Sequence, residues 1–165
     1  MNKLATTLTA TLIGLGAAGL AQAEEPMAVS IKRLSMETAE KIAHEAVLAC
    51  RKQGISVTAT VVDRGGSVQA VLRDTKAPPV SVKISRLKAY TAANFNVATS
   101  QMSDRANSPL ANVKGLLFSA GGLPIQAGGY VLGAVGVSGA PSGKTDESCA
   151  AAGIKSVADD LEMSM

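Results

Sequence analysis

Aromatic residues are nearly missing: the 165-residue chain has no tryptophan, two tyrosines and two phenylalanines. That scarcity argues against a stacking platform for single-stranded nucleic acid. A formal charge of +3 is too small for a surface that tracks phosphates. With one histidine, His44, and two cysteines, Cys50 and Cys149, the chain has no spaced Cys/His set and no three-histidine metal site. Long apolar runs are missing too. The run from Leu4 to Leu20 is interrupted by Thr6, Thr7, Thr9 and Thr11, short of the roughly 20 apolar residues a membrane span requires.

What that run does match is a secretory signal peptide. Lys3 precedes it and Ala21-Gln22-Ala23 follows it, so cleavage is expected after Ala23 and the mature protein is expected in the periplasm. Residues 24–165 remain, enough for one domain with a single core. Losing Lys3 lowers the formal charge from +3 to +2. In an oxidising compartment Cys50 and Cys149 can pair. Such a bond would close a loop of about 100 residues and contribute roughly 4–5 kcal/mol. Two separate buried thiols are the alternative, and both readings stay open.

The order of elements follows from period and punctuation. Ser35 caps a helix whose face is Ala39, Ile42, Ala43, Ala46, Val47 and Cys50, with Gly54 as its stop. Ile55–Val62 and Ser67–Arg73 alternate about the turn Asp63-Arg-Gly-Gly66, which reads as a β-hairpin. Pro78-Pro79 precedes a second helix over Val80–Phe95. A short helical turn is expected near Thr99–Arg105. Leu116–Ser119, Leu123–Gln126 and Tyr130–Ser138 read as strands, and Thr145 as the cap of a last helix reaching about Glu162. Gly133 and Gly136 inside a strand mark the close approach of a ligand or another backbone. The expected fold class is α+β, one domain with a five-stranded, mainly antiparallel sheet.

Charged residues that could carry chemistry are few. On the second helix Val80, Ile84, Leu87 and Phe95 form a stripe that contains Lys88 and Thr91. A lysine inside a core-facing stripe either snorkels to water or meets an anion at a pocket. Val82, Ala89 and Ala93 make a second apolar face, which suggests a homo-oligomer. Asp63, Arg73 and Asp146 sit at element ends, where they could converge with Lys88 on a polar pocket, or simply shape turns and caps. The backbone around Gly122 and Pro124 is the fallback ligand site. His44 is either a solvated surface residue or a single axial haem ligand.

Two motifs are false friends. Ser138-Gly-Ala-Pro-Ser-Gly-Lys-Thr145 ends like a phosphate-binding loop but has serine where the first glycine must stand, so no nucleoside triphosphate is expected. Gly136-Val-Ser-Gly139 lacks the spacing of a nucleophile elbow.

In sum these segments resemble the GlcG/HbpS family of small haem-binding proteins. The likeness rests on Val61-Val-Asp-Arg-Gly-Gly-Ser-Val68, Arg73-Asp74 with Ala77-Pro-Pro79, and Arg86-Leu-Lys-Ala-Tyr-Thr-Ala-Ala93. It continues through Gly121-Gly-Leu-Pro-Ile125, Gly133-Ala-Val-Gly-Val-Ser-Gly-Ala-Pro141 and Asp146-Glu-Ser-Cys-Ala150. The resemblance implies a profilin-like α/β/α fold, homo-oligomers, and binding of haem or a related small molecule, in some members as an exported accessory to a sensor or alongside catabolic enzymes. Three functions follow for testing. One is an exported small-molecule or haem binder. Another is an enzyme acting on a small anionic metabolite through a Lys/Asp pocket. The third is a structural assembly.

Overall fold

Ser35 opens the first helix by accepting the Thr38 N–H on its side-chain oxygen at 3.2 Å. In the computed structural model, which describes residues Met27–Met165, that helix is α1, Met36–Arg51. The leader expected over residues 1–23 lies outside the described residues. Ile31–Met165 form one unit. Its further elements are β1 (Thr58–Asp63), β2 (Val68–Arg73), α2 (Val80–Phe95), β3 (Gly122–Ala127), β4 (Tyr130–Ser138), α3 (Gly143–Lys155) and α4 (Ala158–Met163). Two 3-10 segments, Thr99–Asn107 and Pro109–Asn112, lie between α2 and β3. No helix among the described residues is long and apolar enough to cross a membrane.

The sheet is antiparallel throughout, in the order β2-β1-β4-β3. Its two faces are filled differently. On one, Val57, Ala59 and Val61 with Val135, Val137 and Ile125 pack against Ile42, Ala46 and Cys50 of α1 and Cys149 and Ala150 of α3. This is the main core. On the other, Val62 and Ala134 form a small cluster with Ala89, Ala92 and Ala93 of α2. Small residues are needed there because α2 rides on the backbone of β4. A Cβ on Gly136 would strike the Ser85 carbonyl and stand 2.5 Å from the Ala89 nitrogen. The strand glycine thus marks an approaching helix.

That contact turns α2 about from the orientation its apolar stripe suggests. Ser81, Ser85, Lys88, Ala89, Ala92 and Ala93 are buried, while Val80 and Val82 are exposed and Ile84 and Leu87 only half-buried. Ser81 and Ser85 satisfy their hydroxyls on Thr58 and Thr60 of β1, at 2.6 and 2.8 Å. With no room for large side chains, close approach outweighed hydrophobicity in setting the helix face.

The sheet has four strands, not five, because Leu116–Ser119 forms none. The edge it would have to join is closed. Gly121 takes the Val137 N–H, so Gly122 and Pro124 of β3 turn their backbone groups outward. The Gly122 N–H and carbonyl are both engaged by the Thr99 hydroxyl, at 2.9 and 3.4 Å, and Pro124 has no N–H to offer. The Leu117 N–H goes instead to the Thr91 hydroxyl at 2.8 Å. The last helix also starts earlier than Thr145, with Ser142 as its cap, and it breaks before α4.

Candidate functional site

Lys88 and Asp146 are brought together, and they are closed in. The Lys88 ammonium donates to Asp146 Oδ2 at 2.8 Å and to the Val137 carbonyl at 3.0 Å. Asp146 Oδ1 accepts the Ala140 N–H at 3.0 Å. Burial pushes the Asp146 carboxyl above its usual range, against Lys88 and the Ala140 N–H, which pull it down. Gly121 seals the pair: a Cβ there would lie 2.8 Å from both Lys88 Nζ and Asp146 Cβ. Lys88 therefore neither snorkels nor faces a mouth. It ties α2 to β4 and to the first turn of α3.

The other expected site residues disperse. Antiparallel pairing sets Arg73 opposite Thr58, so Asp63 lies five residues further along β1, about 17 Å from it. Asp63 holds its own turn, accepting the Ser67 N–H at 2.9 Å and standing 3.6 Å from Arg33. Arg73 donates to the Ala77 carbonyl at 2.9 Å. Thr91 is buried, donating to the Leu87 carbonyl at 2.8 Å while accepting from Leu117. Gly122 packs under α2, where a Cβ would stand 2.5 Å from the Lys88 carbonyl oxygen. Cys50 and Cys149 are joined in a disulfide with their Cα atoms 5.6 Å apart, pinning α1 to α3.

Pro124 does line a cavity. A groove of about 530 Å³ runs beside β3, floored by Val97, Leu123, Pro124 and Ile154 with Lys155 at its rim. A second cavity, about 300 Å³, lies on the outer face of α2 and is lined by Lys83, Arg86, Leu87, Tyr90 and Gly115. None of the ion pairs among the described residues involves Lys83 or Arg86. Lys83, Arg86 and Tyr90 lie outside the apolar stripe of Val80, Ile84, Leu87 and Phe95, and only Leu87 is common to stripe and cleft. Their spacing was the available signal, since positions 83, 86, 87 and 90 share one helical stripe opposite Ser81, Ser85 and Ala92.

Haem tests the donor set. Axial ligands come from His, Cys, Met or Tyr. His44 is exposed on α1 with Nδ1 3.6 Å from Glu45, and it lines neither cavity. The cysteines are bonded to each other. The β3 groove offers none of the four residue types. The α2 cleft offers Tyr90, two cations for carboxylates and an apolar wall, so its residues fit the group.

Comparison with known proteins identifies the family. The family model described as haem degrading protein, HbpS-like, matches residues 34–155. A double mutant of HbpS from Streptomyces reticuli superposes with a TM-score of 0.75 at 35% identity, covering 92% of this chain and 99% of that one. PduOC, solved as a haem complex, gives 0.69 at 25% identity over 74% of this chain and 94% of its own. GlcG of Escherichia coli strain K12 is 32% identical over 108 residues, 64% of this chain and 81% of GlcG. With the match running through α1, the whole sheet, α2 and α3, the protein belongs to the GlcG/HbpS family.

Proposed function

We propose that this is an exported haem-binding protein and that haem sits in the cleft on the outer face of α2. The observation that carries the reading is the pair Lys83 and Arg86, two cations that enter no ion pair among the described residues, beside the apolar wall of Leu87 and the Tyr90 ring. A planar apolar macrocycle with two carboxylates is the complement of such a surface. The enzyme reading through Lys88 and Asp146 loses its basis, since the two side chains are buried against each other and closed from solvent.

Haem supplies its iron and its macrocycle; the chain supplies the wall, the cations and the fixed orientation of α2. Titration with hemin tests the site. The double reversal Lys83→Glu/Arg86→Glu is expected to weaken binding by about tenfold or more, and unchanged affinity would exclude the cleft.

Export and self-association belong to the same proposal. The leader pattern supports export, and sequencing of periplasmic protein is expected to begin at Glu24. Self-association is supported by an apolar surface that α2 leaves bare. Val71 pairs with Thr60 and Val68 with Val62, on the α2 side of the sheet, and both valines are exposed, as is Val82.

A further inference from the structure

We infer that the Tyr90 hydroxyl is the ligand that this chain presents to haem iron, an assignment that rests on the haem reading above. Three observations converge on it. The first is confinement of the ring. A Cβ on Gly66 would come within 2.6 and 2.7 Å of Tyr90 Cδ2 and Cε2, and one on Gly115 within 3.4 Å of Cε1. The β1–β2 turn and the loop before β3 thus flank opposite edges of the ring. Gly66, at φ +84°, also holds a backbone conformation that side chains disfavour. Two glycines frame one phenol.

The second is the state of the hydroxyl. Tyr90 is half-buried, and its hydroxyl enters no hydrogen bond among the described residues; the only buried side-chain oxygen or nitrogen left without a partner is Gln69 Oε1. The Tyr90 hydroxyl is therefore not tied into the fold, and its residue lines the cleft. A structural tyrosine more commonly spends its hydroxyl on a partner.

The third is the charge around it. Arg86 stands one helical turn before Tyr90 and Lys83 two turns before it, about 10.5 Å along the axis. Both line the same cleft. Cations lining the cleft would pair with the carboxylates of a haem held there. Coordination is then a simple exchange. The phenolic O–H bond breaks, an Oη–iron bond forms, and the proton leaves to solvent. Iron stays ferric, so no reductant or oxidant is required.

The experiment compares hemin with metal-free protoporphyrin IX on wild type, Tyr90→Phe and His44→Ala. Phenylalanine keeps the ring between Gly66 and Gly115, so the fold is retained; far-UV circular dichroism checks this. Wild type with hemin should show phenolate modes in the resonance Raman spectrum. Tyr90→Phe should lose those modes and bind hemin about tenfold more weakly, yet bind protoporphyrin within about twofold of wild type. His44→Ala should match wild type in every measurement. Phenolate modes that survive in Tyr90→Phe, or hemin binding abolished by His44→Ala, would overturn the assignment while leaving haem binding intact. Wild type that binds neither hemin nor protoporphyrin saturably would overturn the haem reading itself.

Discussion

Replacing Lys88 by methionine isolates the buried ion pair. The two side chains are 4% and 5% exposed, so neither can turn to water when its partner is lost. Methionine fills most of the lysine stem, which leaves the packing intact and removes two charge-assisted hydrogen bonds, to Asp146 and to Val137. Asp146 keeps only the Ala140 N–H. Breaking a buried pair from one side destabilises by roughly 3–5 kcal/mol, a large part of the 5–15 kcal/mol typical of a whole domain. Urea unfolding followed by circular dichroism should show that loss with an unchanged denaturant slope. The pH dependence gives a second, independent sign. Because burial holds the Asp146 carboxyl above its ordinary 3.8, the folded chain binds that proton more tightly than the unfolded one. The associated stability is fully present below about 3.8 and is lost as pH rises through the raised value. Without Lys88 this loss deepens, so the Lys88→Met penalty should be smaller near pH 4 than near pH 7. The double variant Lys88→Met/Asp146→Leu should regain most of the stability. A loss below about 1 kcal/mol at neutral pH would mean that the ammonium reaches solvent after all, and the closed-pair reasoning would fail.

Three more outcomes are expected. Reducing the Cys50–Cys149 bond, or changing both cysteines to serine, should lower stability by roughly 4–5 kcal/mol, read from urea midpoints, since the bond closes a separation of 99 residues. Arg51 donates to Asp74 at 2.9 Å and holds its carboxyl below the usual range; the stability this gives is present above about pH 3.8 and is lost as pH falls through the lowered value. Asp74→Asn should therefore differ from wild type in unfolding midpoint at pH 7 and converge with it on acidification. Val71→Asp/Val82→Asp should shift light-scattering mass toward the monomer, whereas charges at Ala89 or Ala93, which are buried under the sheet, should unfold the chain instead.

Local signals were legible where they were self-contained. Ser35, the hairpin around Asp63–Gly66 and the Pro78-Pro79 break each act within a few residues, and α1, the hairpin and α2 appear where those residues put them. Long-range geometry was not legible in the same way. The inward face of α2 is decided by Gly136, some 50 residues away in sequence, which admits a helix backbone and turns away the large apolar stripe. The separation of Asp63 from Arg73 was, by contrast, available in advance, because a hairpin sets the end of its second strand beside the start of its first. Tyr90 drew no notice as a ligand because its significance lies in two glycines from distant loops.

The proline in β3 protects more than its own strand. A sheet that ends in an open ladder can recruit the same edge from another molecule, and the addition repeats without limit. Here the outward positions of the last strand carry one amide already engaged by Thr99, then a residue with no amide at all. Growth by strand addition would have to skip two consecutive docking points. For a chain whose apolar residues are mostly small, this interruption leaves the backbone of the β3 edge without a continuous template for open polymerisation.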